Sequence, residues 1–239
     1  MMPCTLIFFS TGEISIPLFQ ILLEDSRFKI LGLVCQPDRG EERAIKKLAE
    51  ASGIPISQPE KLSKADELFE TLSIVRPDFL LTFSYGQILT EKWLGLALIA
   101  PLNVHPSLLP KYRGPTPAQA ALLNGDTESG LSLIKMTKGM DEGPIAFQEK
   151  MRIEAGTTCD ELFTQFAELA AKKIPDAILR VAEKGDATFK DQDSAQASYC
   201  KMTNREDGRI DFNDAAEKIY NRFRAYTPWP GIFTMYEGK

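Results

Sequence analysis

The amino-acid sequence predicts an α/β fold built on a doubly wound, mostly parallel sheet. Two observations carry that expectation. Through the first third of the chain, short continuous apolar runs alternate with segments of helical apolar spacing. Strands that are apolar on both faces are covered by helices on both sides, which is the βαβ arrangement. In addition, the polar stretches richest in reactive groups follow directly after such runs, where an α/β sheet opens its ligand crevice.

The elements follow in order. Thr5 to Phe9 is the first apolar run and ends at Ser10-Thr11-Gly12, after which Ile14 to Leu23 carries helical spacing. Ile30 to Cys35 repeats the strand signal. Glu42 to Ala51 predicts a helix closed by Gly53, then a short strand at Ile54 to Ser57 and a helix from Lys64 to Val75 with Ser63 as its N-cap. Phe79 to Phe83 is the next strand. Ser84-Tyr85-Gly86-Gln87 and the Asn103 to Gly114 segment should leave the sheet at the same edge. Leu131 to Met136 predicts a buried strand that delivers the turn Thr137 to Gly143, with Ile145 to Ile153 as its hairpin partner. Thr157 or Thr158 should cap a long helix reaching Glu183, kinked or broken at Pro175. Beyond Gly185 the chain is more polar and keeps a strand candidate at Arg209 to Phe212 and a helix candidate at Ala215 to Tyr226. The expected division is a catalytic domain over 1–185 and a C-terminal extension over 186–239.

Composition narrows the function classes. At 239 residues and 44% hydrophobic, the chain can bury a full core. No apolar run reaches the roughly 20 residues of a spanning helix, and Met1 to Phe9 has no basic region ahead of its apolar stretch. The expectation is a soluble, cytoplasmic, untargeted protein without membrane partners. Cys4, Cys35, Cys159 and Cys200 are far apart, with no CxxC pair and no histidine neighbour, so neither a metal site nor a disulfide framework is expected. A net charge of -5 argues against broad binding of DNA or other nucleic acid. Local basic groups remain: Arg39, Arg43, Lys46 and Lys47, which read as a solvated face, then Lys111 with Arg113, and Arg222 with Arg224. No GxGxxG follows the first strand, which removes the main support for a nicotinamide-dependent oxidoreductase.

The one histidine, His105, stands in Asn103-Val104-His105-Pro106-Ser107-Leu108-Leu109-Pro110-Lys111-Tyr112-Arg113-Gly114. A lone histidine beside a β-branched residue is ordinarily a packed residue; its company points to chemistry. Asn103 and His105 are two apart, so at a strand end their side chains share a side. Pro106 and Pro110 forbid regular pairing and force a rigid loop after them. Asp141 arrives in Lys138-Gly139-Met140-Asp141-Glu142-Gly143. A carboxamide donates without changing charge, an imidazole donates or carries a proton near neutral pH, and a carboxylate can hold that imidazole cationic. These three groups read as an acyl-transfer site.

The same residues carry a resemblance. The Asn103 to Gly114 motif followed by Gly139 to Gly143 resembles the formyltransferase family that uses 10-formyltetrahydrofolate. Further matches are Gln36-Pro37-Asp38, Ser84-Tyr85-Gly86, Asn124-Gly125-Asp126-Thr127-Glu128-Ser129-Gly130 and Pro228-Trp229-Pro230-Gly231, so nearly the whole chain is covered. The resemblance implies that family's Rossmann-like fold, metal-free transfer of a formyl group, and Asn103, His105 and Asp141 as catalytic residues. It implies a folate slot between Phe83 to Leu89 and the Thr137 to Asp141 turn, with Phe83, Tyr85, Gly86, Gln87, Ile88, Leu89, Thr137 and Met140 reading the ring largely through backbone groups. It places Ser107, Leu108, Leu109, Pro110, Arg113 and Gly114 on the acceptor side.

The resemblance is strongest to the branch that formylates initiator methionyl-tRNA at the start of translation. Glycinamide ribonucleotide and amino-sugar N-formyltransferases share the same Asn, His and Asp. The Gln36-Pro37-Asp38 and Pro228-Trp229-Pro230-Gly231 elements speak against the former, which leaves an amino-sugar nucleotide as the alternative acceptor and hydrolysis of formyl-folate as a second alternative. Two departures from the tRNA branch stand out. Its longer, basic, Gly-rich loop after Gln-Pro-Asp is reduced here to Arg39-Gly40-Glu41-Glu42-Arg43, and no full C-terminal barrel-like domain is expected. Contacts to tRNA phosphates then fall to Lys111, Arg113, Arg222 and Arg224.

Overall fold

The computed structural model describes residues 2–40 and 42–235. Its elements are β1 (Cys4–Phe9), α1 (Ile16–Glu24), β2 (Phe28–Val34), α2 (Ala44–Ala51), β3 (Ile56–Ser57), α3 (Asp66–Val75), β4 (Phe79–Thr82), α4 (Glu91–Leu94), β5 (Ala100–His105), α5 (Pro117–Leu123), β6 (Glu128–Lys135), β7 (Ile145–Arg152), α6 (Cys159–Lys184) and α7 (Ala216–Tyr226). The sheet has seven strands in the order β3-β2-β1-β4-β5-β6-β7. β1 pairs in parallel with both β2 and β4, β2 with β3, and β4 with β5, whereas β6 runs antiparallel to β5. The strand order reverses between β1 and β4, which is the switch point at which doubly wound folds open a crevice.

The chain divides into two compact units. One comprises Met1–His105, Ser132–Phe147 and Ala167–Gln192; the other comprises Pro106–Leu131, Gln148–Phe166 and Asp193–Lys239. β6, β7 and α6 each contribute residues to both units. In the first unit, Leu6 to Phe9 and Phe79 to Leu81 are buried, as the continuous apolar runs require. Ile7, Phe9, Leu80, Tyr85, Leu89 and Trp93 form part of one core cluster beneath the carboxyl end of β4. In the second unit, α5 packs against α7.

Three local expectations are corrected. Ser63 does not cap α3; it lies in a 3-10 turn, Leu62–Lys64, and the helix begins at Asp66, where Asp66 and Glu67 favour its positive end. Pro175 does not break α6, which runs unbroken from Cys159 to Lys184. The residues around it, Ile174, Ala177 and Ile178, are buried, and packing carries the helix past the missing hydrogen bond. Arg209 to Phe212 forms only the single bridge Arg209↔Phe233, because the Asp211 side chain accepts from the Asn213 N–H and turns the chain. At the start of α6, the Thr158 N–H donates to Glu161 Oε2 at 2.9 Å, half of a capping box. Among the described residues no helix is long and apolar enough to cross a membrane.

Candidate active site

The first unit brings Asn103, His105 and Asp141 together. Asn103 and His105 lie in the last turn of the β5 pleat, paired across the ladder with Ile134 and Ser132 of β6. β6 ends at Lys135, and the turn beyond it carries Asp141 back to them. Asp141 Oδ2 stands 3.5 Å from His105 Nδ1, and the Asn103 Nδ2 donates to Asp141 Oδ1 at 3.3 Å. One carboxylate therefore spans both partners. His105 is only 4% exposed, so its contact with Asp141 lies largely away from bulk water.

Two residues that sequence reasoning missed hold this arrangement. Thr82, at the end of β4 and paired in register with Asn103, donates its hydroxyl to Asn103 Oδ1 at 2.7 Å. Gln192 donates from its Nε2 to the carbonyls of Asp141 and Gly143, both at 2.7 Å. Between those anchors Asp141 sits at φ 55°, a left-handed conformation that aspartate tolerates better than most residues. Gly143 has a steric reason to be glycine: a Cβ there would stand 1.7 Å from the Lys135 carbonyl oxygen. Neither Thr82 nor Gln192 lies in a recognisable motif, and a period-2 or helical pattern carries no signal for either.

The residues expected around the folate slot divide by environment. Phe83, Tyr85 and Leu89 are buried in the core, so their side chains face apolar neighbours; Tyr85 packs edge-on against Phe9 at 5.4 Å. Burial also pushes the Tyr85 hydroxyl pKa up, and that hydroxyl meets no hydrogen-bond partner among the described residues. The Gln87 side chain is engaged as a brace: its Oε1 accepts the Leu62 N–H at 2.7 Å and its Nε2 donates to the Pro59 carbonyl at 3.2 Å. Gly86 at φ 82° and Thr137 are exposed, as are Ile88 (74%) and Met140 (57%). The loops after β4 and β6 thus each present an apolar side chain to solvent.

The other six expected residues belong to the second unit. Ser107, Leu109, Arg113 and Gly114 are buried there. Ser107 Oγ donates to the Lys111 carbonyl at 2.7 Å, and the Leu109 carbonyl accepts from Gln148 Nε2 at 2.9 Å. Leu108 and Pro110 are half-buried, and the Pro110 carbonyl accepts the Ser198 N–H. Arg113 is 2% exposed, with its guanidinium donating to the Tyr199 hydroxyl at 3.0 Å. It offers no surface charge to a phosphate. Arg224 is likewise buried, donating to Asn221 Oδ1 and to the Thr157 carbonyl. In both cases the guanidinium is turned inward and donates to neutral groups of this unit, a hydroxyl for Arg113 and a carboxamide and a carbonyl for Arg224.

In the segment after Gln36-Pro37-Asp38, Lys46 is engaged internally. Lys46 pairs with Asp38 and Glu42, each at 3.0 Å, and the ammonium holds the Asp38 carboxyl below the usual carboxylate range. Glu41 lies outside the described residues. Burial raises the thiols of Cys35 and Cys159, the latter to about 12, which leaves neither as a thiolate nucleophile. No group of three or more potential metal ligands is gathered among the described residues.

A doubly wound sheet places a carboxamide and an imidazole near the carboxyl end of β5, and the turn after β6 brings a carboxylate to them, an arrangement that suits group transfer at an acyl carbon. The chain belongs to the formyl transferase family: the formyl transferase model matches residues 7–178, and the formyl transferase C-terminal domain model matches 202–239. It is 37% identical to the methionyl-tRNA formyltransferase of Acidobacterium capsulatum over 98% of this chain and 77% of that one. It is also 37% identical to that of Thermotoga maritima, over 95% and 74%. Among solved structures, a 4-N formyltransferase from Francisella tularensis matches with a TM-score of 0.77 at 15% identity, covering 99% and 93%. An N-formyltransferase from Helicobacter canadensis in complex with folinic acid and dTDP-3-aminofucose matches at 0.74 and 20%, covering 98% and 85%. At such identities the structures share the fold.

Proposed function

We propose that this enzyme transfers the formyl group of 10-formyltetrahydrofolate to the free amino group of initiator methionyl-tRNA. The observation that carries the chemistry is the single carboxylate of Asp141 set against both His105 and Asn103. The amine nitrogen attacks the formyl carbon and the carbonyl electron pair moves onto oxygen. Asn103 Nδ2 and the Nε2 side of the His105 ring donate to that oxyanion, and Asp141 balances the ring's charge. One well-placed donor of this kind lowers the barrier by on the order of 3 kcal/mol. Collapse breaks the bond from carbon to N10, and N10 receives the proton the amine gives up, relayed past Asp141 through water. The products are tetrahydrofolate and the N-formylated acceptor.

The residues present fit such a donor. Exposed Gly86 and Thr137, with exposed Ile88 and Met140, suit a flat ring with polar edges: backbone groups read the edges and apolar side chains cover the faces. Bound there, the donor supplies the activated one-carbon group. Support for the tRNA acceptor comes from the 37% identity to proteins that act on methionyl-tRNA, across nearly the whole of this chain.

Product analysis decides the acceptor. The chain is supplied with 10-formyltetrahydrofolate and, in separate reactions, charged initiator tRNA, an amino-sugar nucleotide, or no acceptor. Formylmethionyl-tRNA is the expected product. Formylation of the sugar alone would replace tRNA by an amino-sugar acceptor, and formate released without any acceptor would indicate hydrolysis.

A further inference from the structure

We infer that Thr82 is a positioning residue for this reaction, one that fixes which end of the Asn103 carboxamide faces the reacting carbonyl. The inference rests on the formyl-transfer reading of the site. A carboxamide has a donor end and an acceptor end of nearly the same shape, and only the donor end stabilises an oxyanion. Two neighbours settle the choice. Asp141 Oδ1 can only accept, so it draws the Nδ2 end to 3.3 Å, while the Thr82 hydroxyl donates to Oδ1 at 2.7 Å. Reversed, the amide would set its oxygen against a carboxylate oxygen.

The hydroxyl has one proton and three acceptors in reach. Asn103 Oδ1 is nearest, ahead of the Leu102 carbonyl at 3.3 Å and Met136 Sδ at 3.4 Å. Thr82 is 5% exposed, so water does not compete for that proton. Donation to Oδ1 also polarises the amide and makes its N–H a better donor, since hydrogen bonds in a chain strengthen one another. The second Nδ2 hydrogen is the one that meets the oxyanion. Asp141 alone would hold one N–H; Thr82 fixes the plane and sense of the whole group.

Thr82→Val keeps the shape and removes the hydroxyl, and Thr82→Ser keeps the hydroxyl. The wild type and both variants are compared with Asn103→Ala as a control, with kcat and KM measured for donor and acceptor. Thr82→Val should lower kcat on the order of 10-fold with both KM values nearly unchanged, because the bond matters where charge develops. Thr82→Ser should recover most of the loss. The side-chain amide signals of Asn103, assigned by their absence in Asn103→Ala, should shift in Thr82→Val and return in Thr82→Ser. Full turnover in Thr82→Val while Asn103→Ala is inactive would overturn the role of Thr82 alone, as would equal losses in the Val and Ser variants. Turnover retained in Asn103→Ala would overturn the site reading and the inference with it. If Thr82→Val folds poorly, Thr82→Ser with unaltered amide signals and turnover supports the inference, and altered ones oppose it.

Discussion

Asp141 Oδ2 lies 3.5 Å from His105 Nδ1, while the other oxygen of the same carboxylate accepts from Asn103. The two groups proposed to face an oxyanion thus share one carboxylate carried on a turn.

Asp141→Asn keeps the size of the side chain and removes its charge. Turnover should fall at least as far as the loss of one oxyanion donor, about 10²-fold. Because His105 is the only histidine, its ring nitrogens give one uncrowded pair of NMR signals. The Nδ1 signal should move in Asp141→Asn; an unchanged signal would mean that the carboxylate does not engage the ring.

Gln192 anchors the Asp141 turn through two carbonyls. Gln192→Ala should cost about 1–3 kcal/mol of stability, from two lost hydrogen bonds of roughly 1 kcal/mol each and the carbonyls left behind. It should also lower kcat more than it raises either KM, since Asp141 would leave its partners. Thermal unfolding and steady-state rates check this. A stability loss with full turnover would show that the turn holds without its clamp.

Much of this was legible in the sequence. Continuous apolar runs marked β1 and β4 to within one residue and β2 to within two, and the i, i+2 spacing of Asn103 and His105 put both on one side of β5. Thr82 and Gln192 were not legible, because each acts through a tertiary hydrogen bond to a residue 21 or 49–51 positions away, which no local pattern encodes. α4 and α5 escaped for a different reason: four and seven residues are too few to display a helical period. Arg113 and Arg224 read as surface charges because composition cannot reveal that a guanidinium is turned inward.

Tyr85 tests the packing reading of the slot. Its hydroxyl is buried without a partner among the described residues, at a cost of about 1–3 kcal/mol. Tyr85→Phe should therefore raise the melting temperature and leave turnover intact. A lower melting temperature together with weaker donor binding would show that the hydroxyl is used.

With Arg113 and Arg224 buried, Lys111 and Arg222 are left as phosphate contacts from the expected group. Each contact adds close to one unit to the slope of log affinity against log salt. The slope for tRNA binding should be shallow, about -2, with weak affinity at moderate salt. A slope of -6 or steeper would show a basic surface beyond these residues.

The most direct test of the central claim is the single-turnover rate of formyl transfer in Asn103→Ala and His105→Ala, with donor affinity measured in the same variants. Each should lose about 10²- to 10³-fold in rate while donor affinity stays within about twofold, because both groups act on charge that exists only in the transition state. A rate near wild type in either variant would contradict the account.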